Sequence, residues 1–177
     1  VAHLLISKLD DIMWLYNIRA NDVDCNPVAL SYTFISENEA VLFIQKEALT
    51  DEVIQYFNKY GIVCKDYTEI VSYIKEVKLA GKVGISFHEV NYLFYKVLGQ
   101  RGELKDMENP TALYKAVKNS VELENLRKYY LLDSVKLTKF LFWMKQNAGK
   151  IPMDEYSVAM KLDSMRAEID GFFELSF

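Results

Sequence analysis

The chain has 177 residues, of which 51% are hydrophobic, and it carries a formal net charge of −4. Its 21 basic residues are scattered among 25 acidic ones, which argues against a nucleic-acid surface because phosphate binding needs clustered lysine and arginine. No uninterrupted apolar run reaches membrane-spanning length. We therefore expect a cytoplasmic protein that binds neither nucleic acid nor membrane and has room for one good core or two small ones.

Alternating strands and helices are predicted for the first part of the chain. The predicted elements are a strand at 4–7, a helix at 12–18, strands at 28–35 and 40–44, a helix at 50–60, a strand at 62–64, a helix at 67–79, a strand at 83–86 and a helix that ends at Leu98. The turn at 36–39 makes 28–35 and 40–44 an antiparallel hairpin. Gly61 is placed to end one helix, and Ser86 with Glu89 forms a capping box for the last. Together these elements predict an α/β fold with a mixed sheet.

Strand signals stop after Asn109 and Pro110. Asn119 and Glu122 form an N-cap pair for a helix of about seven turns that ends near Asn147. A second helix begins after Pro152, with Asp154 as its cap. We therefore divide the chain into an α/β part at 1–109 and a helical part at 110–177.

Several aromatic side chains of the helical part have no predicted sheet to cover them. They are Phe140, Phe142, Trp143, Phe172, Phe173 and Phe177. Large exposed apolar patches mark interaction surfaces. We expect a homodimer or other self-association through these apolar helices.

A polar loop separates the helix at 12–18 from Pro27 and carries the first of two blocks with a family resemblance. It reads Asn17-Ile-Arg-Ala-Asn-Asp22, followed by Asn26-Pro-Val28. The block resembles the second domain of the Xaa-Pro aminopeptidases of the creatinase and prolidase group, in which Asn-Leu-Arg-Gly-Ser-Asp precedes Asn-Pro-Val. Ala20 departs from that pattern, so a turn that needs a positive φ there would differ in backbone or carry strain.

The second block, Pro110 to Arg127, resembles the start of the catalytic "pita-bread" domain of the same enzymes. Glu155 to Arg166 and Gly171 to Phe177 are similar to the next helix and to the approach to the catalytic core. The resemblance therefore implies a creatinase N-terminal-like α/β domain, incomplete at its start, followed by the truncated first helices of a metallopeptidase domain. The chain is interpreted as a proteolysed or excised piece of such an enzyme.

The resemblance also implies a function. The parent would be a cytoplasmic metallopeptidase, a hydrolase that removes the N-terminal residue preceding proline from peptides. Two divalent metals, usually manganese, are held in that family by two Asp, one His and two Glu, and these motifs lie downstream of the Leu-Ser-Phe at which this chain stops. We expect no catalytic residue, metal ligand or cofactor in this piece, and no activity of the piece alone.

Three loop residues, Asn17, Arg19 and Asp22, are the candidates for a wall of the substrate cleft. The resemblance implies that the amino-terminal domains contribute to the cleft, where Arg19 could bind the carboxylate end of a peptide through charge-assisted hydrogen bonds. The alternative is that Arg19 and Asp22 pair with each other to hold the turn.

The other residues of types that serve in catalysis or metal binding are expected to have structural roles. The chain has two histidines, His3 and His88, and neither lies among acids at ligand spacing, so both are expected to be structural or exposed. Asp10 and Asp11 could form a carboxylate pair, but one as a helix cap and the other solvated is favoured. The two cysteines, Cys25 and Cys64, are expected to be free thiols.

Three alternatives to the peptidase remain open from sequence. One is a non-catalytic interaction module of the same fold group. The others are a creatinase-like amidinohydrolase fragment and a stand-alone nuclease-like α/β protein, the last of which would need acids at strand ends that the predicted strands almost entirely lack.

Overall fold

The computed structural model describes residues 1–173, and the chain divides into two compact units, Val1–Val117 and Lys118–Phe177. The predicted parts, 1–109 and 110–177, differ from these units only in one short helix and the residues around it, which the structure groups with the first unit. That the units correspond to separate domains of a longer protein stays a prediction.

The first unit alternates strands and helices, as the sequence patterns predict. Its elements are β1 (His3–Ile6), α1 (Leu9–Tyr16), β2 (Ser31–Ser36), β3 (Ala40–Ile44), α2 (Asp51–Lys59), β4 (Ile62–Asp66), α3 (Ile70–Glu76), β5 (Val83–Ile85), α4 (Tyr92–Gly99), β6 (Leu104–Asp106) and α5 (Pro110–Ala116), with 3-10 turns at Lys46–Ala48 and Tyr67–Glu69.

One six-stranded mixed sheet runs through this unit in the order β4-β3-β2-β1-β5-β6. Strand β2 is antiparallel to both β1 and β3, whereas β3 with β4, β1 with β5 and β5 with β6 are parallel pairs. The predicted hairpin is confirmed, with Ser31 opposite Ile44 and Ile35 opposite Ala40. The mixed α/β fold class is therefore confirmed.

Both faces of the sheet are buried, because its central strands are apolar on both sides. Val41 and Phe43 of β3 lie in one core cluster, which also includes Ile74 of α3. Leu42 and Ile44 of the same strand lie in a second cluster, which includes Ile12 of α1 and Phe57 of α2. A continuous apolar strand with helices on both faces is the usual pattern of such sheets.

A crevice is expected between β1 and β5, at their carboxyl ends. These strands are neighbours and parallel, but β1 leads to α1 in one core cluster and β5 leads to α4 in the other. Loops that leave to opposite faces open a gap at the sheet edge, which is where open α/β sheets commonly bind ligands.

The second unit consists of two helices within the described residues, α6 (Ser120–Asn147) and α7 (Glu155–Arg166). The predicted caps are confirmed, because Asn119 with Glu122 forms a capping box and Asp154 accepts from the backbone N–H of Ser157. Arg166 Nε donates to Asp133 Oδ1 at 2.7 Å and thereby connects the two helices. Within residues 1–173, no helix combines the length and the apolarity that a membrane crossing requires.

The structure corrects four local predictions. Residues 28–30 are not strand, since β2 begins at Ser31. Ser86 and Glu89 do not cap a helix, because α4 begins at Tyr92 with Asn91 Oδ1 as acceptor for Phe94 N–H. The sequence patterns missed β6 and α5, which are only 3 and 7 residues long. Phe140 is buried rather than exposed, and Phe177 lies outside the described residues.

Gly84 in β5 lies where the sheet packs too tightly for a side chain. A Cβ at this position would lie 2.6 Å from Met107 Sδ and 3.3 Å from Leu4 Cδ1. We expect Gly84→Ala to lower the free energy of unfolding by about 1–3 kcal/mol, because the added methyl group must displace the half-buried side chains of Met107 and Leu4. Urea denaturation measures this change.

Gly99→Ala is the matched control, because a Cβ there meets Leu104 Cδ1 at an ordinary 3.4 Å at the end of α4. It should be neutral or slightly stabilising, since alanine restricts the unfolded chain more than glycine does. Equal destabilisation by both variants would contradict the packing explanation.

Candidate functional site

The loop that begins at Asn17 is defined first by how α1 ends. Asn17 has a left-handed backbone, with φ of 51°. Its N–H donates to the carbonyl of Trp14 at 3.2 Å, and Ile18 N–H donates to the carbonyl of Met13 at 3.1 Å. These two bonds form a Schellman motif, in which asparagine tolerates the left-handed position better than most residues. Asn17 therefore terminates the helix.

Arg19 lies on the surface and bonds to the same helix end. Its Nη1 donates to the carbonyl oxygens of Ile18 at 2.7 Å and Met13 at 3.2 Å. A cation at this position also complements the negative end of the helix dipole. Arg19 forms no ion pair within residues 1–173, so the predicted Arg19–Asp22 pair is not present. Nε and Nη2 of Arg19 are left as donors for another group.

Asp22 holds the loop together through the backbone. Its Oδ2 accepts from Leu30 N–H at 2.8 Å, and its own N–H donates to the carbonyl of Val28 at 3.1 Å. The turn of this small hairpin has its positive φ, 58°, at Cys25. Ala20 is not among the described residues with positive φ, so the change from glycine places no strain there.

The structure also shows a partly buried charged cluster that the sequence patterns did not predict. We call Asp10, Asp11, Thr111 and Lys115 the α1–α5 latch. Lys115 Nζ lies 2.6 Å from Asp11 Oδ1 and 2.5 Å from Asp10 Oδ2, and Thr111 Oγ1 donates to Asp11 Oδ2 at 3.0 Å. Asp11 is 0% exposed. The prediction that one aspartate caps the helix and the other is solvated is therefore wrong, because α1 has no side-chain cap at Lys8 and both carboxylates bind Lys115.

The contacts of the latch favour the charged forms of Asp10 and Lys115. Burial alone would raise the pKa of Asp10, but its hydrogen bond to Lys115 and the charges of Lys115 and Lys8 outweigh burial and hold the pKa below its usual value. Burial alone would lower the pKa of Lys115, but its bonds to the two aspartates outweigh burial and raise the pKa. Asp10 and Lys115 are therefore ionised at neutral pH.

A second set of polar contacts joins the segments that follow β1 and β5. Asn109 is 5% exposed, and its Nδ2 donates to Glu89 Oε2. Ser7 Oγ donates to the backbone carbonyl of Glu89 at 2.9 Å, and Lys8 Nζ lies 3.8 Å from Glu89 Oε1. The segments that follow β1 and β5 are therefore bonded to each other and to the segment leading into α5.

The remaining candidates have structural surroundings. His3 is buried, and its Nε2 accepts from Ala80 N–H at 2.9 Å, whereas His88 is exposed. Cys25 and Cys64 are free and half-buried. Burial raises the pKa of the Cys64 thiol. In the described part of the chain, no three His, Cys, Asp or Glu side chains converge as a metal site.

Comparison with known proteins identifies relatives of the whole chain. A family model described as Creatinase/Prolidase N-terminal domain matches residues 1–122. Probable Xaa-Pro aminopeptidase P from Sordaria macrospora is 30% identical over 99% of this chain and 30% of its own length. Xaa-Pro aminopeptidase 2 from Sus scrofa is 30% identical over 98% of this chain and 27% of its own. The chain thus spans less than a third of the length of these relatives.

Solved structures agree with the fold. The X-prolyl aminopeptidase from Caenorhabditis elegans, described as a cytosolic enzyme with a di-nuclear active site, matches with a TM-score of 0.89 and 30% identity over 99% of this chain and 30% of its own. The prolidase from Pyrococcus horikoshii matches with a TM-score of 0.63 and 16% identity over 94% of this chain and 44% of its own. The second likeness shows the fold alone.

The latch allows a direct test of coupling between α1 and α5. Lys115→Met should lower the free energy of unfolding by about 3–5 kcal/mol, because it leaves the buried Asp11 carboxylate without a cation. Adding Asp11→Asn should recover part of this loss, with a coupling energy of about 0.5–3 kcal/mol. Urea denaturation of the two single variants and the double variant gives the cycle. Lys82→Met is the control, because the exposed Lys82–Glu103 pair should contribute less than about 1 kcal/mol.

The pH dependence gives a second readout of the same latch. Because the folded pKa of Asp10 is lowered, its contact stabilises the protein above the unfolded pKa and is lost as the pH falls through the folded value. The stability difference between wild type and Asp10→Asn should therefore stay constant down to about pH 5 and shrink as the pH falls below about 4, through the unfolded and then the folded pKa. Two results would contradict the latch. One is a double-mutant cycle in which the effects of the single variants simply add, and the other is a stability difference between wild type and Asp10→Asn that grows as the pH falls.

Proposed function

Because a family model matches residues 1–122, this chain belongs to the Creatinase/Prolidase N-terminal domain family, and we propose that it is the non-catalytic scaffold part of a cytoplasmic Xaa-Pro aminopeptidase. The proposed enzyme removes the N-terminal residue preceding proline from peptides. Likeness to the Caenorhabditis elegans enzyme over 99% of the chain, with a TM-score of 0.89, is the observation that carries this proposal. That enzyme is described as cytosolic, which supports the location.

The proposal places metal binding outside the described residues. The related enzyme is described as di-nuclear, but residues 1–173 contain no group of three converging metal ligands. The latch carboxylates do not fit such a role, because Asp11 is already bound by Lys115 and Thr111. We therefore assign no metal-dependent step to this chain, and propose that two divalent metals, with manganese as the expected ion, are held elsewhere in the enzyme.

Arg19 is proposed to contact the peptide substrate. It is exposed, it forms no ion pair within residues 1–173, and its Nη1 is fixed against two carbonyl oxygens. This anchoring reduces the freedom of the guanidinium, while Nε and Nη2 stay available for a carboxylate. Asn17 and Asp22 support this position through the backbone and are proposed to shape the cleft wall.

We expect Arg19→Ala, in the complete enzyme, to raise KM for short Xaa-Pro peptides with a free carboxyl terminus by about tenfold, the equivalent of one charge-assisted hydrogen bond. The turnover number should change little, because the contact binds substrate and transition state alike. Steady-state kinetics with manganese present measure both constants. Arg19→Lys should lose less, since a charge remains.

Peptides with an amidated carboxyl terminus are the matched control, because they lack the carboxylate that Arg19 would bind. Arg19→Ala should leave their KM nearly unchanged. Unchanged KM for every peptide would contradict the role of Arg19. Manganese-dependent cleavage of an Xaa-Pro peptide by the purified 177-residue chain alone would contradict the scaffold proposal.

Self-association through the second unit is also proposed. Leu131, Val135 and Phe142 follow one face of α6 and are 67%, 44% and 65% exposed. Each large apolar side chain gains about 1.5–3 kcal/mol on burial, so a second copy that covers this face is stabilised. Tyr156 of α7 is 75% exposed as well.

Light scattering should give a mass of about twice the 20.6 kDa of one chain, in a concentration-dependent manner because association follows mass action. Leu131→Glu combined with Phe142→Glu should restore the mass of a monomer. Lys78→Glu, at an exposed position of the first unit, is the control and should leave the dimer intact. A monomer at all concentrations would contradict this proposal.

A further inference from the structure

Three aromatic rings form an exposed row on the first unit. We call Phe87, Tyr92 and Tyr95 the aromatic row. The ring centroids of Phe87 and Tyr95 lie 5.1 Å apart, and those of Tyr92 and Tyr95 lie 6.4 Å apart. Their exposed fractions are 42%, 75% and 39%. The row is held in place by the opposite face of α4, where Phe94, Val97 and Leu98 are buried in the core.

The polar groups of the row are unused. Within the described residues, the hydroxyls of Tyr92 and Tyr95 make no hydrogen bond. A tyrosine hydroxyl can donate to a carbonyl oxygen while its ring supplies apolar contact. The row therefore offers flat apolar surface and two free donors together.

Opposite charges stand at the two ends of the row. Asp106 Oδ1 accepts from the backbone N–H of Phe87 at 3.0 Å, which fixes an exposed carboxylate at the backbone of the first residue of the row. Lys96 follows Tyr92 by one helical turn and is also exposed. Neither charge forms an ion pair within residues 1–173. The carboxylate of Asp106 can therefore bind a cationic group of a partner at one end of the row, and Lys96 can bind an anionic group at the other end.

We propose that the aromatic row binds a proline-rich segment in the polyproline II conformation, with a basic residue of that segment against Asp106. A polyproline II chain has three residues per turn and rises about 3.1 Å per residue, so the side chains on one of its faces recur about every 9 Å, and the three rings of the row can lie along about one turn of it. It has no internal hydrogen bonds and presents carbonyl oxygens along its length, which the free tyrosine hydroxyls match. Aromatic-lined surfaces are the general means by which proteins recognise such segments. The charge of Asp106 selects a basic partner.

The test uses the 177-residue chain and a fluorescent ten-residue peptide that contains four prolines and one terminal arginine. The peptide is acetylated and amidated, so it cannot be a substrate for removal of a free amino-terminal residue, and the outcome is independent of the proposed function. Fluorescence anisotropy measures affinity, and backbone NMR shifts locate the bound surface. Binding should shift the resonances of Phe87, Tyr92 and Tyr95. A peptide with alanine for every proline should bind at least about tenfold more weakly, because it loses the preformed conformation.

Variants separate the parts of the row. Tyr92→Ala and Tyr95→Ala should each weaken binding about tenfold, and the corresponding Phe variants about threefold, because they lose only a hydroxyl bond. Asp106→Asn keeps an acceptor for Phe87 N–H, and it should weaken binding of the arginine peptide but not of a glutamine analogue. Leu93→Ala is the matched control, because Leu93 is 50% exposed on the same helix but lies outside the row.

The proposal is overturned by several results. These are no binding of the peptide, equal losses for Leu93→Ala and Tyr92→Ala, or equal affinity for the alanine peptide. Row resonances that shift with protein concentration but not with peptide would show that a second copy covers the row, and would also overturn it.

Discussion

A fully buried carboxylate, Asp11, sets the arrangement of the segment that closes the first unit. Removing a charge from water costs several kcal/mol unless a counter-charge and hydrogen bonds replace its hydration. Thr111 and Lys115 supply both, and they are four residues apart, so they share one face of α5. This requirement reverses the usual amphipathic pattern, because the polar face of α5 packs inward while Leu113 and Tyr114 stay 67% and 64% exposed. The position of α5 is thus specified by charge rather than by apolar burial.

The sequence patterns correctly predicted those elements that depend on interactions between residues close together in the chain. The continuous apolar run of β3 and the capping box of α6 were predicted correctly because each follows from residues close together in sequence. Residues 28–30 were assigned to a strand because they alternate, yet Val28 and Ala29 are buried beside α1 in a loop held by Asp22. The latch joins residues about a hundred positions apart, and no periodicity signals such a contact. The α4 start was misplaced because Glu89 is bound by Asn109 instead of serving as a cap.

The family resemblance of the loop indicated a candidate surface, but the three candidate residues of the loop have different roles in the structure. Asn17 ends a helix and Asp22 bonds the backbone of the returning chain, so both side-chain identities have a structural reason. Arg19 uses one nitrogen for the helix end and leaves two for another group. Sequence alone could not make this distinction, because a polar loop residue looks the same whether or not its bonds are already made. Of the three candidates, Arg19 retains unused charge-assisted donors.

The two units differ in how much of their apolar surface is covered. In the first, helices bury both faces of the sheet, and its exposed apolar groups are chiefly at edges and on α4 and α5. In the second, α6 has 28 residues but only Phe140 is buried, so packing stabilises little of its length. Caps and pairs such as Arg166–Asp133 support the helix, but each contributes about 1 kcal/mol or less when exposed. Its apolar residues would stabilise the fold further if another surface covered them, and this is the physical reason for the proposed self-association of the second unit.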